Sequence, residues 1–212
     1  MSQLLRAGVL LALLLGGLAG GPASAAVRDP AAANAEDVAR IENYLNGLRS
    51  LRANFVQINP DGSTATGKLY YKRPDKMRLD YDPPSQLLII ANGWDVAYRD
   101  AKLKQVNHMF TSQTPLGFLL TDHIRLSGDV TLTKLEHRGG ELQATLVQTD
   151  DPNQGSIILA FSEEPFELRH WTVIDPQGYA TRVLLDHVET DVALDRELFV
   201  FRDPKFYPEL RR

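Results

Sequence analysis

The 212-residue sequence contains no cysteine. This absence excludes disulfide bonds, thiolate metal sites, a cysteine nucleophile and lipid attachment at an N-terminal cysteine. The motifs G-x-S-x-G and H-E-x-x-H and a phosphate-binding glycine loop are also missing. The chain must therefore be stabilised by its core, and no common catalytic or nucleotide-binding signature indicates its function.

A basic stripe is absent as well. The chain has 23 basic and 27 acidic side chains, and its aromatic residues lie in alternating runs rather than among lysines. We therefore predict no nucleic-acid partner. An apolar composition of 43% over 212 residues is enough for one domain with a core, and no internal repeat is visible.

Only one long apolar run is present, and it lies at the start of the chain. Arg6 precedes apolar and glycine residues from Ala7 to Gly21, and Ala23-Ser24-Ala25 then forms an A-x-A cleavage pattern. The run is shorter than the roughly 20 residues that a membrane-spanning helix needs, which favours a cleaved signal over an uncleaved anchor. We predict a secretory signal peptide that is removed after Ala25.

The predicted organisation follows from that signal. Residues 26–33 form a small-residue tail that we expect to be flexible, and residues 34–212 form a single domain. An exported domain without disulfides is typical of the periplasm or cell envelope rather than the open medium.

A helix is predicted at the beginning of the domain. Asn34 and Asp37 form a possible cap, and the helix ends near Leu48. Its apolar residues recur every three or four positions on one face and are Val38, Ile41, Tyr44, Leu45 and Leu48. This face must pack on another element.

From Leu51 onward the hydrophobic period changes to two. Eleven strand-like runs follow, at approximately 51–59, 66–72, 76–81, 86–91, 94–99, 103–108, 130–137, 141–148, 156–161, 168–175 and 179–187. Asn92-Gly93 and Gly139-Gly140 suit tight hairpin turns. Short connections predict an antiparallel meander, and this many strands will curl toward a barrel or split into two sheets.

One stretch, from His108 to Asp129, interrupts the alternation. It contains "TPLGFLLTDHIRL", in which Thr114 can cap a short helix with Pro115 at its first position. The N-terminal helix and this apolar insertion are two amphipathic pieces that can cover the mouth of a sheet that stays partly open.

Several segments resemble the family of periplasmic lipoprotein carriers, LolA. They are "ANFVQ" at 53–57, "GKLYYKRPDKMRLDYDPP" at 67–84, "LLIIANGWDVAYRDAKLKQV" at 87–106, "TPLGFLL" at 114–120 and, more weakly, "FVFRDP" at 199–204. No single motif is specific, but their order and spacing over roughly 52–120 are.

The resemblance implies a mainly β fold with an α lid: an unclosed antiparallel β-barrel of about eleven strands, covered by an N-terminal helix and a short central helical insertion. Family members take up the acylated N-terminus of a lipoprotein at the inner membrane and carry it to the outer membrane without a chemical step. The implied partners are acylated lipoproteins, an inner-membrane lipoprotein-releasing transporter, and an outer-membrane acceptor or the outer membrane itself. We expect a monomer that needs no cofactor or metal and is not an enzyme.

The resemblance also implies roles for particular residues. Arg73, in the R-P pair, stands where the family's arginine hydrogen-bonds to the lid and holds it shut. Strand parity and the apolar insertion suggest a cavity wall formed by Phe55, Leu69, Tyr71, Met77, Leu79, Tyr81, Leu88, Ile90, Leu116 and Phe118. The candidates for the covering helices are Val38, Ile41, Leu45, Leu119 and Leu120.

Two departures from the family pattern are visible. Met77 and Leu79 stand where the family often has aromatic residues, which predicts a softer cavity wall. The chain ends soon after its last strand-like run, so the role of a longer C-terminal element in some members is in doubt here.

Two alternative functions remain open. A sensor of mislocalised lipoproteins, or a carrier of another lipid, would use a similar half-barrel. A hydrolase or metal site is more remote, because Asp186 and His187 are adjacent in a predicted strand and should point to opposite faces.

Overall fold

The computed structural model describes residues 30–203 and 205, with side chains from residue 34 onward. One helix, α1 (Pro30–Gly47), precedes eleven strands. The strands are β1 (Ser50–Ile58), β2 (Thr64–Lys72), β3 (Lys76–Tyr81), β4 (Leu87–Asn92), β5 (Asp95–Asp100), β6 (Gln105–Phe110), β7 (Val130–Arg138), β8 (Glu141–Gln148), β9 (Ser156–Glu163), β10 (Phe166–Ile174) and β11 (Ala180–Thr190). The predicted signal peptide lies outside the described residues.

All eleven strands form one antiparallel sheet in the order β6-β5-β4-β3-β2-β1-β11-β10-β9-β8-β7. Each half is a meander, and β1 pairs with β11 to join the halves. The edge strands β6 and β7 do not pair with one another, so the barrel is unclosed. The predicted fold class is therefore confirmed, and the predicted strand ends lie within about three residues of those observed.

The helix α1 begins earlier than predicted. Its first residue is Pro30, four positions before the expected cap at Asn34. Proline is favoured in the first turn of a helix, and the alanines that follow it are the strongest helix formers, so part of the predicted tail is helical. Among the described residues, no helix is long and apolar enough to cross a membrane.

The core lies between the concave face of the sheet and α1. Ile41 and Leu45 of α1, and Leu48 directly after it, are buried there in one cluster with alternate residues of the first three strands. These strand residues are Leu51, Ala53, Phe55, Leu69, Tyr71, Met77, Leu79 and Tyr81. Burial of each large apolar side chain contributes about 1.5–3 kcal/mol, so this face fixes the register of the strands.

The connection between β6 and β7, residues 111–129, is called the insertion below. It links the two edge strands, but the single short helix predicted there, with Thr114 as its cap, is not formed. Two short 3-10 turns, Thr111–Gln113 and Gly117–Leu120, replace it, and the Thr114 hydroxyl donates to the Thr111 carbonyl at 2.8 Å instead of capping a helix. The apolar segment is too short to form a stable α-helix of its own.

Gly67 of β2 occupies a position that has no room for a side chain. A Cβ atom there would lie 2.3 Å from the Asp80 carbonyl oxygen and 2.6 Å from the Phe55 ring. We expect Gly67→Ala to destabilise the fold by about 2–4 kcal/mol, because backbone and a buried ring must both shift. Denaturant unfolding should show this loss, whereas Gly47→Ala, where nothing lies within 4 Å of the added Cβ, should lack it.

Hydrogen bonds between charged side chains connect α1 to β7 and β9. His137 of β7 contacts Glu163 through Nδ1 at 2.6 Å and Asp37 of α1 through Nε2 at 2.8 Å. Arg40 of α1 donates to the Glu163 carboxylate at 3.1 Å and to its backbone carbonyl at 2.8 Å. The hydrogen bonds to Glu163 and then Asp37 raise the pKa of His137, and the bond to His137 lowers the pKa of Glu163.

This cluster predicts a pH dependence of stability. Because the folded-state pKa of His137 is raised, its contribution is complete below the ordinary pKa of about 6.5 and is lost as pH rises through the folded-state value. The melting temperature of wild type should exceed that of His137→Gln most clearly near pH 6, and the difference should shrink as the pH is raised well above about 6.5. A difference that is constant over this range would contradict the assigned role of His137.

Candidate functional site

A cavity of about 250 Å³ lies between the sheet and the insertion. Its lining is mostly apolar and consists of Gln57, Met77, Leu79, Tyr81, Ile89, Ala91, Val96, Tyr98, Met109, Thr114, Pro115, Leu116, Leu120, Trp171, Val173, Thr181 and Val183. The roof is formed by the four insertion residues in this set, and the described residues of α1 contribute none. The walls come from both halves of the sheet, which the pairing of β1 with β11 brings together.

A second, smaller void of about 30 Å³ lies beneath the C-terminal end of α1. Met77, Leu116 and Trp171 line both spaces, so they form the partition between them. Methionine and leucine side chains adapt their rotamers at modest cost. The two spaces can therefore merge through side-chain movement without a change in the sheet.

The structure brings together several of the predicted wall residues. Met77, Leu79, Tyr81 and Leu116 line the larger cavity, and Leu69 and Tyr71 line the smaller void. Phe55 instead belongs to the core, where its ring lies edge-to-face on Tyr81 at a centroid distance of 4.9 Å. Phe118 lies beside a groove on the outer side of the insertion.

Leu88 and Ile90, predicted as wall residues, do not line the cavity in the structure. In β4, Ala91 pairs with Met77 and Ile89 pairs with Leu79, so Ala91 and Ile89 lie on the cavity face. Leu88 and Ile90 alternate with them along β4 and therefore lie on the opposite face of the sheet. Ile90 is buried outside the main core, on the face that the C-terminal segment covers. The run "LLII" is apolar on both faces, so its parity could not be assigned from the sequence.

The whole of the wall from β10 and β11 was missed by sequence reasoning. Trp171 and Val173 alternate along β10, and Thr181 and Val183 alternate along β11. The alternation was visible, but the pairing that places these strands opposite β3 and β4 was not. A long-range pairing of this kind leaves no local sequence signal.

Two tyrosines in the walls have their hydroxyl groups satisfied. The Tyr81 hydroxyl donates to Gln57 Oε1 at 2.6 Å, and burial raises the pKa of Tyr81 to about 12. The Tyr71 hydroxyl donates to the Leu119 carbonyl in the insertion at 2.7 Å, and burial likewise raises its pKa. Both rings remain neutral at physiological pH, so the cavity carries no charge from them.

Arg73 joins the sheet to both parts of the lid, which we define as α1 together with the insertion. Its guanidinium donates to the Leu45 carbonyl of α1 at 3.2 Å, to Asn46 Oδ1 at 3.3 Å and to the Asp122 carbonyl at 2.6 Å. Leu45 lies in the last turn of α1, where carbonyls lack helical partners and a cation is favoured. The arginine is thus placed where it can stabilise a closed lid.

The lid candidates occupy different positions. Ile41 and Leu45 of α1 are buried in the core, and Val38 of the same helix packs on this core while partly exposed. Leu119 lines the small void, and Leu120 contributes to the roof of the cavity.

Asp186 and His187 were expected to point to opposite faces of a strand, but the structure brings them together. Their side chains contact at 2.7 Å, because His187 adopts a φ of +51° at an irregularity in β11. Both side chains are more than two-thirds exposed, and neither lies in the cavity wall. This geometry fits a contact between two side chains at the protein surface.

A family model described as outer membrane lipoprotein carrier protein LolA matches residues 46–202. This chain belongs to the LolA family. The match extends well beyond the segments that carry the resemblance in sequence and includes β7 to β11. LolA is a carrier family rather than an enzyme family.

Individual relatives agree with this assignment. An outer-membrane lipoprotein carrier protein of Pseudomonas aeruginosa is 30% identical over 201 residues, covering 91% of this chain and 93% of the relative. One from Methylococcus capsulatus is 28% identical over 174 residues, covering 78% and 83%. A crystal structure of a DUF1329 family protein from Desulfovibrio piger shares the fold, with a TM-score of 0.50 and 14% identity over 87% of this chain and all of that one.

Proposed function

We propose that the protein binds the acyl chains of lipoproteins in its apolar cavity and carries them through the periplasm from the inner to the outer membrane. The observation that carries the proposal is a nearly uncharged cavity whose roof is held down by hydrogen bonds at its rim. Such a site binds by burial and can release its contents when the rim opens.

The energetics of the cargo require such a site. A lipoprotein with three chains of about 15 methylenes each, at roughly 0.8 kcal/mol per methylene, would lose on the order of 36 kcal/mol by exposing them to water. A carrier must hide most of this surface and later give it up. An adaptable wall such as Met77 and Met109 suits both demands better than a rigid one.

The size of the cavity indicates that loading requires rearrangement. At about 250 Å³ it lies below the roughly 300–1,000 Å³ of ordinary ligand pockets, so three acyl chains need more room than the closed state offers. We infer that the lid moves on loading, with Arg73 holding it closed while the cavity is empty. The partners are an inner-membrane lipoprotein-releasing transporter and, at the outer membrane, an acceptor or the membrane itself.

A transfer assay tests this function. Inner-membrane vesicles that contain a labelled triacylated lipoprotein and its transporter are incubated with ATP and the purified protein. Appearance of the label in a soluble complex with the protein, and its later transfer to outer-membrane vesicles, is the expected result. Label that stays in the inner-membrane vesicles would contradict the proposal.

A further inference from the structure

The two parts of the lid are held very differently. The sheet holds α1 at both ends: two residues connect it to β1, and Arg40 and Asp37 tie its earlier part to Glu163 and His137. Between these points, Tyr44 lies edge-to-face on Phe161 and Phe166, each at 5.7 Å. The Arg40 guanidinium also lies 4.1 Å above the Phe166 ring.

The insertion is held by buried apolar side chains, among them Ile124 and Leu126, and by hydrogen bonds at its rim. Asn46 of α1 makes a two-point contact with Ile124, donating to its carbonyl at 2.8 Å and accepting from its N–H at 3.0 Å. Glu42, one turn earlier on α1, accepts from the Leu126 N–H at 2.7 Å. Arg73 and Tyr71 supply the contacts from the sheet.

The insertion also separates two spaces. Thr114, Pro115 and Leu120 line the inner cavity on one side and a groove of about 670 Å³ at the protein surface on the other. Displacement of this single segment would join the cavity to the groove and admit a long chain. Displacement of α1 would uncover the smaller void, which Leu45 lines, but would not join the cavity to this groove, because no described residue of α1 lines either of them.

We propose that the insertion is the moving gate of the lid, that α1 is its fixed frame, and that Asn46 and Glu42 latch the gate to the frame. This inference rests on the proposed carrier function for its purpose but not for its geometry. Asn46 and Glu42 are positioning residues, since neither lines the cavity. Ile124 and Leu126 are buried at 1% and 3% exposure in the closed gate, so opening exposes them to water.

Amide hydrogen exchange tests the gate directly in the purified protein. The Ile124 and Leu126 N–H groups donate to α1 side chains, so their exchange reports separation of the insertion from α1. Each substitution removes the acceptor of one of these amides, and that amide would exchange faster for this reason alone. The exchange rate is therefore measured at the other amide: at Leu126 in Asn46→Ala, and at Ile124 in Glu42→Ala. We expect each variant to accelerate exchange at the other residue's amide by roughly tenfold, while the backbone amides of α1 keep their wild-type rates.

Two control variants separate a latch from a general loss of stability. Glu42→Gln keeps a side-chain oxygen that accepts from Leu126 and should restore slow exchange at Ile124, because the contact is a hydrogen bond rather than an ion pair. Asn43→Ala changes an exposed asparagine on the same helix, which matches the Asn46→Ala substitution, and should leave both amides unchanged. If Asn46→Ala instead accelerates the α1 amides in parallel with Leu126, the lid opens as one body and the proposal is wrong. An 18-residue helix that left the sheet would lose its own protection.

The same measurement on loaded protein connects the gate to function. With a synthetic lipopeptide carrying three palmitoyl chains bound, Ile124 and Leu126 should exchange faster and the α1 amides should not. Protection of both amides in the loaded protein would overturn the gate. Failure of wild type to bind the lipopeptide would count against the carrier function, whereas the exchange results on empty protein would still decide the gate.

Discussion

Replacement of Arg73 by leucine is expected to give a folded protein that takes up lipoprotein but fails to release it. The substitution removes hydrogen bonds from a charged donor to Leu45 and Asn46 of α1 and to Asp122 of the insertion, and the bond to Asp122 is the one that breaks when the insertion moves away from the sheet. The loss of this one charge-assisted bond, about 1.5–3 kcal/mol, would shift the balance between closed and open lid roughly 10- to 100-fold. Closure then no longer helps to expel the chains, so the loaded state persists.

The measurement is the fraction of protein that purifies with bound lipoprotein, followed by transfer to outer-membrane vesicles. Arg49→Leu is a matched control, because Arg49 lies in the same region but its side chain is 81% exposed and pairs with Asp191 rather than with the lid. The control should load and release as wild type does. Normal transfer by Arg73→Leu would contradict its role in closing the lid.

Replacement of Met77 by glutamate is expected to abolish most loading. Met77 is 7% exposed and lies between the cavity and the smaller void. A carboxylate there must be desolvated or must take up a proton, and either costs several kcal/mol when no partner is present. We expect uptake of a triacylated lipopeptide to fall by at least roughly tenfold, measured by fluorescence or by co-purification.

Met77→Leu serves as the control, because it keeps an apolar side chain of similar volume. Its loading should remain within about threefold of wild type. A buried charge also destabilises the fold, so the melting temperature of both variants must be measured. Loading is then compared at a temperature well below the lower of the two melting temperatures. Unchanged loading in a folded Met77→Glu protein would place Met77 outside the space that the chains occupy.

The strands of this fold could be predicted because each one alternates and most end at a recognisable turn. Gly139-Gly140 is an example: both glycines adopt positive φ, at +62° and +80°, as a tight hairpin between β7 and β8 requires. In β3, alternation places Met77, Leu79 and Tyr81 on one face, as predicted. Such a local pattern predicts the structure correctly because one face of the strand is buried and the other is exposed to solvent.

Other parts of the site could not be predicted for physical reasons. The parity of β4 is hidden by an apolar run, because the C-terminal turn Arg196–Phe199 covers the outer face of that region and makes both faces dry. The latch formed by Asn46 and Glu42 is equally invisible in sequence. Their partners are backbone groups of Ile124 and Leu126, which any residue in those positions would supply.

The insertion shows a third limit. Its apolar composition correctly predicted a cover over the sheet, but not its conformation, since Gly117 packs so tightly on the Thr111 carbonyl that a Cβ would lie 2.2 Å from that oxygen. The conformation of the gate is therefore set by close backbone packing within the insertion rather than by helix propensity.

The central claim, that the cavity carries lipoprotein acyl chains, is tested most directly by native mass spectrometry of the protein purified from envelope extract, with lipid analysis of what accompanies it. We predict a bound triacylated lipoprotein, enriched in Arg73→Leu. Free phospholipid or glycolipid in its place, or an empty protein in both wild type and Arg73→Leu, would contradict the claim.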